Sequence, residues 1–242
     1  MMIFYDEDKL IQFAYSERGK HHIDLGQENQ DSVYVGKVIN GTYCVVVADG
    51  VSSCKWAKKG SEAAVDTVKN LAMKMSLGEI AVNDKNSIRR FVVTDWKSHF
   101  ESKWNDYGTT LNFVIICNQD LVIGQIGDGL VLITVDDENI LVSDMDEFYS
   151  VETYALAEAV LKSSFNIICK KIKGNVVAVA MTDGIGKELD LDTIDEFKNY
   201  LVELIKGNTE TREKEIASWM KHLREKNDDD KSLGILVLEG WN

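Results

Sequence analysis

The arrangement of strand-like and helix-like segments constrains the fold of this chain more than any other feature. Strand patterns rich in β-branched residues occupy 32–48, 109–142 and 166–182, and a last one covers 233–238. Helical periodicity is confined to two blocks, one over 57–75 and 87–104 and the other over 194–225. Because helices do not alternate with single strands, the pattern excludes a doubly wound parallel fold. It predicts an α+β fold in which about ten strands form two packed antiparallel sheets flanked by helices.

Individual segments carry sharper signals. The segment 42–48 is apolar throughout, as in a strand buried on both faces, and Asn40-Gly41 before it is the strongest short hairpin signal. The 242 residues suit one large domain or two small ones. No repeat, linker or low-complexity tract divides them, so we predict a single domain over residues 1–242.

Composition restricts the class of partner. The chain has 27 Lys and Arg against 40 Asp and Glu, a net charge of −13. Such a surface repels nucleic-acid backbones and anionic membranes, so neither is expected as a partner. We expect no secretory signal, because the acidic start lacks a basic region, and no run is apolar enough to span a membrane. The four cysteines form no C-x-x-C pair, which favours a reduced, cytoplasmic protein.

Three strand-like segments end in Asp-Gly, at Asp49-Gly50, Asp128-Gly129 and Asp183-Gly184. Each is, taken singly, an ordinary turn signal. Asp49 and Asp183, however, follow strands that look fully buried, and together with Asp128 and Asp229 their carboxylates would repel one another if gathered at the rim of a core. A cation would relieve that repulsion, and carboxylate oxygens suit hard ions such as Mg²⁺ or Mn²⁺ rather than zinc.

Seven short motifs, in this order, resemble those of the metal-dependent Ser/Thr protein phosphatases of the PPM (type 2C) family. They are Asn29-Gln30-Asp31-Ser32, Val47-Ala48-Asp49-Gly50-Val51, Gly60-Ser61, Gly108-Thr109-Thr110-Leu111, Ile126-Gly127-Asp128-Gly129, Met181-Thr182-Asp183-Gly184-Ile185 and Asp229-Asp230-Lys231-Ser232-Leu233. The resemblance spans positions 29–233 and implies a four-layer α-β-β-α sandwich. It makes 1–242 one phosphatase catalytic domain.

The resemblance also implies a site for two Mn²⁺ or Mg²⁺ ions, with room for a third. The implied ligands are Asp31, Asp49, the Gly50 carbonyl, Asp128, Asp183 and Asp229. Asp49 would bridge two ions, Asp183 and Asp229 would hold one of them, and Asp31 would support the other. Asp128 matches a position that helps to bind a third, weaker ion. The implied reaction is attack of a metal-bridging hydroxide on phosphoserine or phosphothreonine.

Departures from the family pattern concern the segment before Asp31. Gln30 stands where Glu is common, and Gly26 replaces an Arg that grips phosphate. Among the nearby cations Lys20, His21 and His22, we expect His22 to bind phosphate or to act as the catalytic acid. The alternative is that both histidines lie in a solvated loop.

The register of the last acidic run is a further open point. Asp228 and Asp230 are adjacent alternatives to Asp229 as the metal ligand.

These observations predict a cytoplasmic phosphoprotein phosphatase of signalling. Its partners would be phosphorylated proteins and a cognate Ser/Thr kinase, and we expect a monomer. Two alternatives remain at this point. One is a pseudophosphatase that serves as a binding or regulatory module, which Gln30 and Gly26 favour and the retained aspartates oppose. The other is a regulatory phosphatase with one dedicated substrate.

Overall fold

Two antiparallel sheets form the centre of the protein. A computed structural model describes residues 1–7, 10–39, 41–143, 155–157 and 165–240. Within these residues the strands are β1 (Met2–Glu7), β2 (Leu10–Glu17), β3 (Ser32–Ile39), β4 (Thr42–Ala48), β5 (Leu111–Cys117), β6 (Asp120–Ile126), β7 (Leu130–Val135), β8 (Glu138–Val142), β9 (Asn166–Lys171), β10 (Val176–Met181) and β11 (Lys231–Leu238). One sheet has the order β1-β2-β11-β10-β7-β8 and the other β3-β4-β5-β6-β9, and every neighbouring pair is antiparallel.

Helices cover the outer faces of both sheets. They are α1 (Lys20–Asp24), α2 (Ala57–Ser76), α3 (Lys85–Ser98), α4 (Asp183–Gly186), α5 (Ile194–Lys206) and α6 (Thr209–Lys226). Apolar side chains of α2 and α3 pack on the five-stranded sheet, and those of α5 and α6 pack on the six-stranded sheet. None of the helices in the described part of the chain is both long and apolar enough to cross a membrane.

Strand β4 shows why the sequence reads as continuously apolar there. Val45 and Val47 point into the core between the sheets, whereas Cys44 and Val46 point into the core beneath α2 and α3. Side chains alternate between faces along a strand, so a strand covered on both sides must be apolar at every position. The four-layer α-β-β-α sandwich of the predicted α+β class is therefore confirmed.

Several local predictions need correction or completion. Strand β1 and helix α1 were not predicted, and the helix predicted over 87–104 ends at Ser98, with a 3₁₀ turn over Trp104–Tyr107. The predicted hairpin is present, since Ile39 pairs with Thr42 and Gly41 has φ +71°, although Asn40 itself lies outside the described residues. The residue pattern of 144–165 is acidic and then weakly helical, and most of this segment also lies outside the described residues.

Candidate metal centre

Sheet topology brings the predicted aspartates to one end of the sandwich. Asp31 precedes β3 and Asp49 follows β4, and these strands pair with Ser32 opposite Ala48. Antiparallel pairing therefore sets the two carboxylates beside each other. In the other sheet Met181 pairs with Leu233, so Asp183 after β10 lies beside the acidic run before β11.

A threonine joins these two halves. The Thr182 hydroxyl donates to Asp31 Oδ2 at 2.8 Å, and the Ser232 backbone N–H donates to the same hydroxyl at 3.0 Å. Thr182 belongs to the six-stranded sheet's end and Asp31 to that of the five-stranded sheet. We call Asp31, Asp49, Asp183 and Asp229 the aspartate cluster.

Burial and mutual repulsion raise the pKa values of carboxyl groups in the aspartate cluster. Burial, together with the charges of Asp230 and Asp183, raises the pKa of Asp31 to about 8. Burial and the charges of Asp31, Asp183 and Asp229 raise the pKa of Asp49 well above its usual value. The pKa of Asp229 is raised by burial and by Asp183. The carboxylates of Asp31, Asp49 and Asp229 therefore lie close enough to Asp183 for its charge to raise their pKa values.

Two oxygen atoms of the cluster lack a partner. Asp31 Oδ1 and Asp183 Oδ1 are buried, and neither has a hydrogen-bond partner among the described residues. A buried carboxyl oxygen without a partner is costly, and a bound cation would remove that cost. The donor set is entirely carboxylate, as Mg²⁺ and Mn²⁺ prefer, so the residues fit the divalent ions that the resemblance implies.

The cluster is not a finished metal site as it stands. In the part of the chain that the structure describes, no group of three or more His, Cys, Asp and Glu side chains is arranged to hold a metal ion. The carboxylates instead contact Thr182, Lys187 and one another. Metal binding thus requires side-chain adjustment within the cluster.

Other predicted motifs fix the backbone around Asp49 and Gln30. The Thr109 hydroxyl donates to the Asp49 carbonyl at 2.8 Å, and the Asp49 N–H donates to the Thr110 hydroxyl at 3.0 Å. The Ser61 hydroxyl donates to the Gln30 carbonyl at 2.6 Å. Gly50 lies against helix α2, where a Cβ atom would come within 2.7 Å of the Ala57 carbonyl. These contacts give the small and hydroxyl-bearing residues at these positions a structural role.

The last acidic run divides its roles among three neighbours. Asp228 is exposed, Asp229 is half-buried in the cluster, and Asp230 is 1% exposed. Asp230 accepts hydrogen bonds from the backbone N–H groups of Gly19 and Gln30, both at 2.6 Å. Its carboxylate is therefore committed to the backbone, and Asp229 is the one that faces Asp183 and Asp49.

His22 lies inside the protein and not in a solvated loop, so that alternative is wrong for this residue, whereas His21 is exposed. Its Nδ1 lies 2.8 Å from Asp230 Oδ2, and its Nε2 is buried without a partner among the described residues. Direct contact between Nε2 and a substrate is therefore not available in this conformation. The predicted catalytic role of His22 stays a prediction.

The backbone conformation at the end of helix α1 favours a glycine at position 26. Gly26 follows helix α1 with φ +65°, and its N–H donates to the Ile23 carbonyl at 3.0 Å while the Gln27 N–H donates to the His22 carbonyl at 2.8 Å. This is a Schellman helix end, whose left-handed residue is most often glycine. The short helix that buries His22 thus ends at the position where the family pattern has its Arg.

Three charged residues near the site were missed from the sequence. Lys187 donates to Asp183 Oδ2 at 2.6 Å and to Asp128 Oδ2 at 2.8 Å. Lys58 donates to the Asp31 carbonyl at 2.9 Å. Lys58 and Arg18 both line a groove of about 860 Å³ beside Asp31. Lys187 lies one helical turn after Asp183, and Lys58 lies two residues before the predicted Gly60-Ser61 motif. These spacings were the available signal.

Comparison with known proteins settles the family. A family model described as protein phosphatase 2C matches residues 18–222. The chain belongs to the protein phosphatase 2C family. Membership classes it among the serine/threonine phosphatases. No curated protein sequence gave a significant match.

Solved structures of low sequence identity share the fold of this family member. A crystal structure of RsbX in complex with magnesium is 16% identical, covers 99% of this chain and 100% of its own, and superposes with a TM-score of 0.64. The catalytic domain of the serine/threonine phosphatase PstP in complex with two manganese ions is 17% identical, with coverages of 95% and 99% and a TM-score of 0.61. Stp1 from Staphylococcus aureus, a serine/threonine phosphatase, is 13% identical, covers 95% of each chain and has a TM-score of 0.66.

Proposed function

We propose that this protein is a Mn²⁺- or Mg²⁺-dependent phosphatase of phosphoserine and phosphothreonine in proteins. One observation carries the proposal: the aspartate cluster gathers four carboxylates at one end of the sandwich, and buried oxygens of Asp31 and Asp183 have no donor among the described residues. Family membership and the metals in the RsbX and PstP structures support the same function.

The ligands proposed for two ions are Asp31, Asp49, the Gly50 carbonyl, Asp183 and Asp229. Two divalent ions held there would lower the pKa of a water nucleophile and neutralise phosphoryl oxygens. The chain's own residues hold this arrangement: Thr182 fixes Asp31, and Thr109 and Thr110 fix the backbone of Asp49. Asp128 pairs with Lys187 and is not among the ligands proposed for these two ions.

For His22 we propose a positioning role. It binds Asp230 through Nδ1, and Asp230 in turn holds the backbone of Gln30, next to Asp31. Arg18 and Lys58, which line the groove beside Asp31, are the proposed source of positive charge for the substrate's phosphate.

A pseudophosphatase is the second candidate. The Gln30 side chain is buried with its Oε1 unpartnered among the described residues, so a neutral group stands where the family carries a charged ligand.

Hydrolysis assays separate the two candidates. We expect wild-type protein to hydrolyse an aryl phosphate and a phosphoserine peptide with Mn²⁺ and to lose this activity in EDTA. Asp49→Asn should cost more than the 10–100-fold typical of groups that only support a metal ligand. Folded wild-type protein that binds Mn²⁺ but leaves both substrates intact would instead identify a pseudophosphatase.

The remaining functional expectations follow from this proposal. A cognate Ser/Thr kinase would produce the substrates, and signalling, a cytoplasmic location and a monomeric state remain predictions from the sequence.

A further inference from the structure

Lys187 lies between two of the predicted metal ligands. It follows α4 and is four residues after Asp183, which places both side chains on the same side of a helical turn. Its ammonium group is 2.6 Å from Asp183 Oδ2 and 2.8 Å from Asp128 Oδ2. The two carboxylates come from different turns, one after β10 and the other between β6 and β7. A single cationic side chain therefore joins them.

The ion pairs of Lys187 with Asp128 and Asp183 are largely shielded from solvent. The side chains of Asp128 and Asp183 are only 6% and 9% exposed, while that of Lys187 is 39% exposed. Two nearly buried carboxylates beside each other need a compensating charge. Helix α4 is held close to the Asp128 turn, because a Cβ atom on Gly186 would come within 3.0 Å of the Leu130 side chain at the start of β7. The packing thus leaves Lys187 within reach of both acids.

Asp183 divides its two oxygens between this lysine and the aspartate cluster. Oδ2 accepts from Lys187, whereas Oδ1 is buried and has no partner among the described residues. The charge of Asp183 acts on Asp31, Asp49 and Asp229. A divalent ion between the carboxylates of Asp128 and Asp183 would compete with the ammonium group for the two Oδ2 atoms that it contacts.

We propose that Lys187 is a built-in cation that takes the place of a divalent ion between Asp128 and Asp183. The inference rests on the proposed function, since it concerns the number of ions at the same site. It predicts that this chain binds its divalent ions through Asp31, Asp49, Asp183 Oδ1 and Asp229 and that Asp128 binds none.

Counting bound Mn²⁺ tests the inference. Protein dialysed to equilibrium against saturating Mn²⁺ is analysed for metal per folded chain, with isothermal titration for the number of sites. Lys187→Met removes the charge and keeps much of the side chain's length, and it should bind one more Mn²⁺ than wild type. Lys187→Arg should keep the wild-type number. Lys187→Gln serves as a second neutral variant if Lys187→Met does not fold.

Two matched variants identify where an additional ion binds. Asp128→Asn in the Lys187→Met background should remove the extra ion, because it removes one of the two carboxylates. Lys214→Met is the control, since Lys214 forms the same i,i+4 pair with Glu210 on α6, and it should leave the count unchanged.

The outcomes distinguish this inference from the proposed function. An unchanged Mn²⁺ count in the folded neutral variants, or an extra ion that persists after Asp128→Asn, would overturn the inference alone if wild type binds Mn²⁺ and hydrolyses phosphate esters with it. Absence of Mn²⁺ binding by wild type would overturn both.

Discussion

His22 Nδ1 lies 2.8 Å from Asp230 Oδ2, although 208 residues separate them in the chain. The contact ties helix α1 to the turn before β11, and the same carboxylate accepts the N–H groups of Gly19 and Gln30. Asp230 is thereby fixed as an internal scaffold. Its neighbour Asp229 is left to face Asp183 in the aspartate cluster.

Asp229→Asn and Asp230→Asn should therefore have opposite effects. Asp229→Asn should weaken Mn²⁺ binding by at least about 10-fold and leave the metal-free protein equally or more stable, because it removes one of several repelling charges. Asp230→Asn should lower the free energy of unfolding by about 1–3 kcal/mol, because backbone donors lose a charged acceptor. Mn²⁺ titration and urea unfolding of both variants provide the measurements, and reversed phenotypes would assign the metal to Asp230.

His22→Ala should destabilise the protein and should lower the rate of hydrolysis of an aryl phosphate and of a phosphopeptide by the same factor. The substitution leaves Asp230 with one donor fewer, at an expected cost of about 1–3 kcal/mol in unfolding free energy. A general acid would matter more for a phosphopeptide than for an aryl phosphate, whose leaving group needs little protonation. We therefore measure kcat and KM on both. A kcat lowered about 10²–10⁴-fold on the phosphopeptide alone would establish His22 as the catalytic acid.

Mn²⁺ should stabilise the folded protein. At a concentration of one hundred times Kd, a ligand that binds only the folded state adds about 2.7 kcal/mol. We expect the melting temperature of EDTA-treated protein to rise when Mn²⁺ is added and to respond far less in Asp49→Asn. Equal shifts in the two proteins would show that Mn²⁺ binds outside the aspartate cluster.

The metal-free protein should lose stability as pH rises. The pKa of Asp31 is raised in the folded state from 3.8 to about 8, so between these values the folded protein holds a proton that the unfolded chain has released. Its contribution is complete below about pH 4 and is lost by about pH 8, with a slope of at most about 1.4 kcal/mol per pH unit for each proton. Asp49 and Asp229 act in the same direction.

Thermal melts in EDTA from pH 5 to 8 measure this effect. Asp31→Asn should flatten the decline, whereas Glu225→Gln, at an exposed position near the end of α6, should leave it unchanged. Stability of wild type that increases steadily over this range would contradict the raised pKa values. Saturating Mn²⁺ should also reduce the decline, because a bound cation replaces the proton.

Gly26→Arg, which introduces an arginine at the position where the family pattern has one, should lower the free energy of unfolding. Among the described residues no atom lies within 4 Å of a Cβ atom placed on Gly26, but the backbone there has φ +65°. A left-handed conformation costs a residue with a side chain about 1–2 kcal/mol, and Gly26→Ala should show the same loss in unfolding free energy. If Gly26→Arg lowers KM relative to Gly26→Ala, the position still faces the substrate. Full stability of both variants would contradict the Schellman helix end.

Much of the architecture follows from residue patterns. The apolar run of β4 predicts a strand between two covered faces, and its observed bounds, Thr42–Ala48, agree with the prediction. Block-wise helices predicted the layers, and the ordered motifs predicted the family that the family model confirms. These features depend on local periodicity and on spacing along the chain, which a sequence displays directly.

Tertiary structure decided the roles of residues within the site. Three consecutive aspartates, Asp228, Asp229 and Asp230, cannot be told apart by residue type. Their burial differs, and only Asp230 contacts the distant residues Gly19, His22 and Gln30. These differences assign Asp230 to the scaffold and Asp229 to the aspartate cluster. The pairing of Lys187 with Asp128 likewise depends on how α4 packs against β7. Charge compensation acts through space between groups that are remote in sequence. Residue patterns therefore identify which acids lie at which strand ends, and the packing of the folded chain selects the cation that each acid faces.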